Sequence, residues 1–212
     1  MQLTLLLLLY CKKEKQIPYI FLIDGMLVAF FDFLTYPACA VGTCLALQAL
    51  MSRADGKTRL LKTVGSGAAW AFGYGGMWSG KWLAASLITG NSVMRDAVEQ
   101  AQYRSGGEVT AAEGGVNATF GAVLSRNLGV LANPAAAVIV LALLGLLVWL
   151  LVTKRCRFAL ERTSLPSLAV AFAVPFVWYF LLRNHSLVHC WMTYRNLSAA
   201  VFALNGVSFR PS

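Results

Sequence analysis

The chain has 212 residues, 58% of them hydrophobic and 13% charged, with 18 Lys and Arg against 9 Asp and Glu for a formal charge of +9. So large an apolar fraction exceeds what the interior of a water-surrounded domain of this length takes up, and it predicts an integral membrane protein. The basic residues sit in short loops between apolar runs and form no continuous stripe, a pattern that excludes nucleic acid as a partner and reads as orientation in a lipid bilayer. The expected fold is all-α, a polytopic transmembrane helical bundle of about six spans, some of them broken, after a truncated N-terminal helix.

The stretch 2–10 is apolar and is followed at once by Lys12, Lys13 and Lys15. A secretory signal has the opposite order, with positive charge before its apolar core, so this stretch reads as the last two turns of a helix that begins before Met1. Spans follow at about 17–34 and 38–51, separated by Thr35-Tyr36-Pro37, because proline removes a donor and disfavours helix in the residue before it. Arg53, Lys57, Arg59 and Lys62 make a basic loop before a glycine-rich run at about 63–88. The stretch 91–133 mixes both charge signs and carries Gly106-Gly107 and Gly114-Gly115, so it is expected to be an extracytoplasmic loop. Further spans are expected at about 135–153, 166–182 and 196–209, the first of them closed by Lys154, Arg155 and Arg157. Every basic loop then falls on one side, which predicts a bacterial cytoplasmic membrane with the N-terminal lysine cluster and the C-terminus inside.

The five cysteines, Cys11, Cys39, Cys44, Cys156 and Cys190, have neither C-x-x-C nor Cys/His spacing and read as free, small apolar residues. Gly75-Gly76-Met77-Trp78-Ser79-Gly80-Lys81-Trp82 imitates a phosphate-binding loop, but Trp82 stands where Ser or Thr must hold magnesium, and a helical run precedes it. Gly73, Gly76 and Gly80 instead offer a close approach to a neighbouring helix, with Trp70, Trp78 and Trp82 as packing aromatics. Lys81 is either a snorkelling lysine or an ammonium facing a lipid phosphate. A carboxylate within a span costs ~2.5–3.5 kcal/mol on insertion scales. Asp24, near mid-span, reads as paired with another helix, whereas Asp32 beside the helix break reads as functional. His185 and His189 are at i and i+4 and share a helix face. Without a third ligand nearby they make a weak metal site, and the competing reading is a polar exit loop. Asn117-Ala-Thr119 and Asn196-Leu-Ser198 match the glycosylation pattern and are given no role.

The strings Phe31-Asp32-Phe33-Leu34-Thr35-Tyr36-Pro37, Gly73 to Trp82, and Trp178-Tyr179 through Asn184-His185-Ser186, His189 and Tyr194-Arg195 resemble those of a group of multi-pass bacterial membrane proteins related to the GT-C type glycosyltransferase superfamily. The resemblance covers about residues 17–208. It implies transfer of a sugar from a polyprenyl-phosphate lipid donor on the extracytoplasmic face, with the superfamily's expected acid in a loop before Met1. On that reading Asp32, His185 and His189 are the catalytic candidates, and Lys81, Arg183 and Arg195 bind the lipid phosphate. No cofactor is expected, and a divalent metal has no ligand set to support it. The competing classes are a transporter or flippase of a lipid-linked or anionic substrate, and a non-catalytic assembly subunit.

Overall fold

The computed structural model describes residues 2–31, 34, 36–132, 134, 138, 141, 142, 145, 149, 152, 153, 156, 157, 162–208, 210 and 211. In chain order the helices are α1 (Gln2–Tyr10), α2 (Ile17–Phe31), α3 (Pro37–Met51), α4 (Gly56–Thr89), α5 (Val93–Ser105), α6 (Phe120–Gly129), α7 (Leu165–Leu181), α8 (Arg183–Val188), α9 (Cys190–Thr193) and α10 (Leu197–Ser208). Short 3-10 turns lie at Glu14–Gln16, Ala111–Glu113 and Tyr194–Asn196, and Cys156–Arg157 pairs antiparallel with Arg210–Pro211.

Local chemistry fixes the ends of these helices. Asp55 caps α4 by accepting from the Thr58 N–H at 3.1 Å, and hydrogen bonding from the Thr58 side chain first, then from this N–H, holds its carboxyl below the usual carboxylate range. Gly90 closes α4 in the left-handed conformation at φ 69°, where its N–H reaches the Ser86 carbonyl. Pro37 opens α3 at a position whose N–H would be idle anyway.

The transmembrane expectation is overturned. No helix among the described residues is long and apolar enough to cross a membrane. Helices α2 and α3 have 15 residues each and α7 has 17. At 1.5 Å per residue these reach roughly 22–26 Å, short of the ~30 Å of hydrocarbon. Helix α4, at 34 residues, has the length, but its glycines, serines and lysines dilute its apolar character. The multi-pass bundle, the membrane localisation and the sidedness drawn from the basic loops therefore lose their basis. The span expected at 135–153 lies largely outside the described residues. The expected loop at 91–133 is also corrected, because it contains α5 and α6. The apolar excess that prompted the membrane reading is partly on the surface: Phe31, Phe72, Leu87 and Ile88 are each more than two-thirds exposed.

Two cores organise the described residues. The first gathers Phe21, Cys44, Leu45, Ala46, Trp70, Leu168 and Ala171 from α2, α3, α4 and α7. Helices α2 and α4 approach each other at backbone distance. A Cβ on Gly25 would lie 2.2 Å from the Trp70 carbonyl oxygen, and one on Gly73 would lie 2.1 Å from that of Leu22. Helices α3 and α10 also pack through small residues, since a Cβ on Gly42 would meet the Ala199 Cβ at 2.7 Å. At the α2/α4 seam the Asp24 carboxylate is buried, accepting from Thr4 Oγ1 and, at 2.9 Å, from Trp70 Nε1. Burial, and then the Asp24 charge, push the Cys44 thiol up to about 12, so it stays protonated at neutral pH. Cys11, Cys44 and Cys190 are free thiols, and Cys39 Sγ lies 3.0 Å from Ser198 Oγ.

The second core, around Val123, Tyr179, Leu187 and Leu197, binds α6 to the end of α7 and to the short helices after it. Its polar centre is Asn127. The Asn127 amide donates to the carbonyls of Val123 and Ser186, and its oxygen accepts from Thr193 Oγ1 at 2.8 Å.

Gly73→Ala forces the α2/α4 backbones apart and is expected to cost about 1–3 kcal/mol. Gly76→Ala, where no neighbour lies within 4 Å, gains up to about 1 kcal/mol of helix propensity. Urea denaturation of the two variants reads opposite signs if the seam is as described.

Candidate functional site

Helix α4 carries Trp70, Tyr74, Trp78 and Trp82 at intervals of four, which places them along one face. Trp70 is anchored on Asp24, and Tyr74 stacks on it with ring centroids 5.0 Å apart. Trp178 of α7 meets Tyr74 edge to face at 6.2 Å. Beyond this ladder a cavity of about 630 Å³ opens between α4, α5 and α7, with Tyr74, Trp78, Trp82 and Trp178 among its walls. Helix α5 closes it with a stripe at helical spacing, Val93, Asp96, Ala97, Gln100, Ala101 and Arg104. Met94 N–H donates to Ser86 Oγ at 2.7 Å and ties the start of α5 to the end of α4.

Most of the wall is apolar, but several donors stand in it. Trp82 Nε1 and Trp178 Nε1 are buried and find no acceptor among the described residues. Arg104 lines the cavity and spends one guanidinium nitrogen on His189 Nε2, at 2.9 Å. A guanidinium only donates, so His189 Nε2 accepts, and the ring is neutral with its proton on Nδ1. Burial first, and then the Arg104 charge, lower the His189 pKa, against an opposing contribution from Glu113. Tyr103 donates a short bond to Glu113 and fixes the 106–115 loop beside this pair. On α5, Asp96 and Arg104 are eight residues apart, roughly 12 Å along the axis, so the cavity has opposite charges at its two ends.

The break between α2 and α3 supplies the remaining wall. Leu34 holds a left-handed φ of 63°, costly for a side chain with a Cβ. Its carbonyl accepts from His185 Nε2 at 3.0 Å while the residue lines the cavity.

The residues singled out by sequence occupy several places. His185 and His189 lie side by side with ring centroids 4.8 Å apart, one turned to Leu34 and the other to Arg104. Arg183 lies over the Phe180 ring at 6.0 Å, and its Nε is buried without an acceptor among the described residues. Lys81 donates to the Ala29 carbonyl at 3.2 Å, capping the C-terminal end of α2, and lies 4.8 Å from the Trp82 ring. Arg195 is exposed on the 3-10 turn before α10. Asp32 lies outside the described residues. Among the described residues no group of three or more His, Cys, Asp or Glu could hold a metal ion.

Of the glycines expected to serve helix approach, Gly73 does so, while Gly76 and Gly80 face open space. Asn196, in one glycosylation-like triplet, is buried and caps α3 by accepting from the Cys39 N–H at 2.9 Å. Arg104, Asp96 and Asn127 were missed by sequence because they fall in the stretch read as a loop. The usable signals were the four-residue periodicity from Val93 to Arg104 and Thr119, which caps α6 by accepting from the Ala122 N–H.

Comparisons with protein-family models, curated proteins and solved structures gave no match. The resemblance to the GT-C superfamily gains no support from them, and neither does a glycosyltransferase assignment.

Two outcomes are expected here. A histidine NMR titration places His189 below 6.5, and Arg104→Gln moves it part of the way back, since burial persists. His189 is depressed in the folded chain, so its contribution to stability is complete above its unfolded value of about 6.5 and is lost as the pH falls below it. Asn127→Ala removes the amide that joins α6 to the Ser186–Thr193 segment, while Thr193 Oγ1 keeps the carbonyls of Ser186 and His189 as acceptors, and is expected to lower unfolding free energy by about 1–2 kcal/mol.

Proposed function

We propose that this protein binds an amphiphile with an anionic, oxygen-rich head, its chain lying along the aromatic wall of the α4/α5/α7 cavity and its head at Arg104. The observation that carries this reading is the company of donors in an apolar space. Two buried indole N–H groups that find no acceptor among the described residues, and a guanidinium that gives one nitrogen to His189, call for ligand oxygens, while the aromatic walls call for hydrocarbon. A phosphate monoester or carboxylate meets both demands, and guanidinium binds either in a two-pronged fashion. A lipid phosphate is one member of that class.

The arrangement favours binding over bond-making. His189 gives its acceptor nitrogen to Arg104, and His185 donates its Nε2 proton to a backbone carbonyl. With Nε2 accepting from Arg104 and the proton on Nδ1, the His189 ring has no nitrogen left to take a proton from a ligand. Lys81 is spent on the Ala29 carbonyl and Arg195 is exposed on the turn before α10, and neither lines this cavity.

Quenching of tryptophan fluorescence by decyl phosphate and by decanol, each below its aggregation limit, tests the reading. The expected result is a preference for the phosphate of about tenfold, equivalent to ~1.4 kcal/mol, which Arg104→Gln abolishes. Ala101→Trp, which fills the cavity, is expected to weaken both compounds. Equal affinity for the two ligands in the native chain would sink the proposal, as would indifference to Ala101→Trp.

A further inference from the structure

At the other end of the first core, where α1 and α3 finish and α2 and α4 begin, lies a second cavity of about 410 Å³. Its depth is graded by chemistry. Gln48 and Ser66 line it and are 8% and 1% exposed, and Gln48 Oε1 and Ser66 Oγ find no hydrogen-bond partner among the described residues. Leu8, Ile17 and Met51 supply apolar walls. At the mouth stand the exposed Lys15 and the partly exposed Lys62, which is paired at 2.6 Å with Glu14. That pair is 38% and 64% exposed, so it holds the mouth only weakly and can open.

A buried amide oxygen without a donor costs free energy that a fitting ligand recovers. Gln48 Oε1 requires a hydrogen-bond donor, and the Ser66 hydroxyl can give or accept. A bare inorganic anion would satisfy neither the carbonyl nor the apolar walls. A neutral alcohol would leave the lysines idle. We infer that this second cavity binds a medium-chain organic acid carrying a hydroxyl at its far end, with its carboxylate at Lys15 and Lys62 and its hydroxyl between Gln48 and Ser66. The hydroxyl donates to Gln48 Oε1 and accepts from Ser66 Oγ, and the methylenes lie against Leu8, Ile17 and Met51. The site is independent of the α4/α5/α7 cavity and shares no lining residue with it.

Calorimetric titration of the full chain with 8-hydroxyoctanoate and with octanoate tests the site. A pocket built around a ligand hydroxyl rejects the analogue that lacks it, so the expected preference for the hydroxy acid is about tenfold or more. Gln48→Leu and Ser66→Ala, each close to its parent in volume, bring that ratio near one. Lys15→Ala with Lys62→Ala weakens both acids alike. Circular dichroism and thermal melting confirm that each variant is folded. Cys11, partly exposed at the same mouth, gives an independent readout, because bound hydroxy acid slows its alkylation. The proposal is overturned by absence of binding, by equal affinity for the two acids, or by a ratio that survives in the Gln48→Leu, Ser66→Ala double variant. Binding that leaves Cys11 alkylation unchanged overturns it too, since the ligand then sits elsewhere.

Discussion

The close approach of α2 to α4 is the constraint on which the rest of the structure depends. Gly25 and Gly73 let the two backbones touch, each at a point where a single methyl would collide with a carbonyl oxygen. The contact sets the rotation of α4 about its own axis. With Gly73 turned to α2, Trp70 reaches Asp24, and Tyr74, Trp78 and Trp82 face away towards α5 and α7. The aromatic wall of the first cavity thus follows from two residues without side chains.

Charge burial supports the same seam. An isolated carboxylate inside a helical core is costly. Asp24 offsets that cost by taking one hydrogen bond from Thr4 of α1 and another from Trp70 of α4, so three helices meet on one side chain. The second core repeats the device without a charge: Asn127 uses both ends of its amide to join α6 to the segment from Ser186 to Thr193. Fully satisfied polar groups of this kind specify one arrangement of packed helices over others with equal burial. Such satisfaction is incomplete beside the two cavities, as it is among the described residues at Ser167 Oγ and Asn196 Nδ2. Trp82 and Trp178 at one end, and Gln48 and Ser66 at the other, keep polar atoms without partners among the described residues.

Charged residues divide between architecture and cavity in a way their types do not announce. Arg59 is buried and holds the α3–α4 loop through the carbonyls of Ser52 and Ala54. Lys81 caps α2, whereas Arg104, from a stretch with no motif, lines the first cavity. Burial first, and then the Arg104 charge, favour neutral His189, so the imidazole pair serves as a positioned acceptor and a backbone clip.

The sequence by itself determined the helical character of the chain and the break at Tyr36-Pro37, because proline chemistry and apolar runs act locally. It also determined that Gly73 meets a neighbouring helix and that Asp24 needs a partner, since a glycine among aromatics and a carboxylate in an apolar run each have few stable solutions. Apolar composition overstated the case for membrane spans: it counts side chains without regard to helix length, and α2, α3 and α7 stop at 15 to 17 residues. The glycines near 106 and 114 concealed α5 and α6, because breakers mark the ends of short helices as readily as they mark loops. Only tertiary structure decided which donors were spent. Lys81 and Arg104 are equally charged in the sequence, and what separates them is the Ala29 carbonyl, brought to Lys81 from 52 residues away by the packing of α2 on α4.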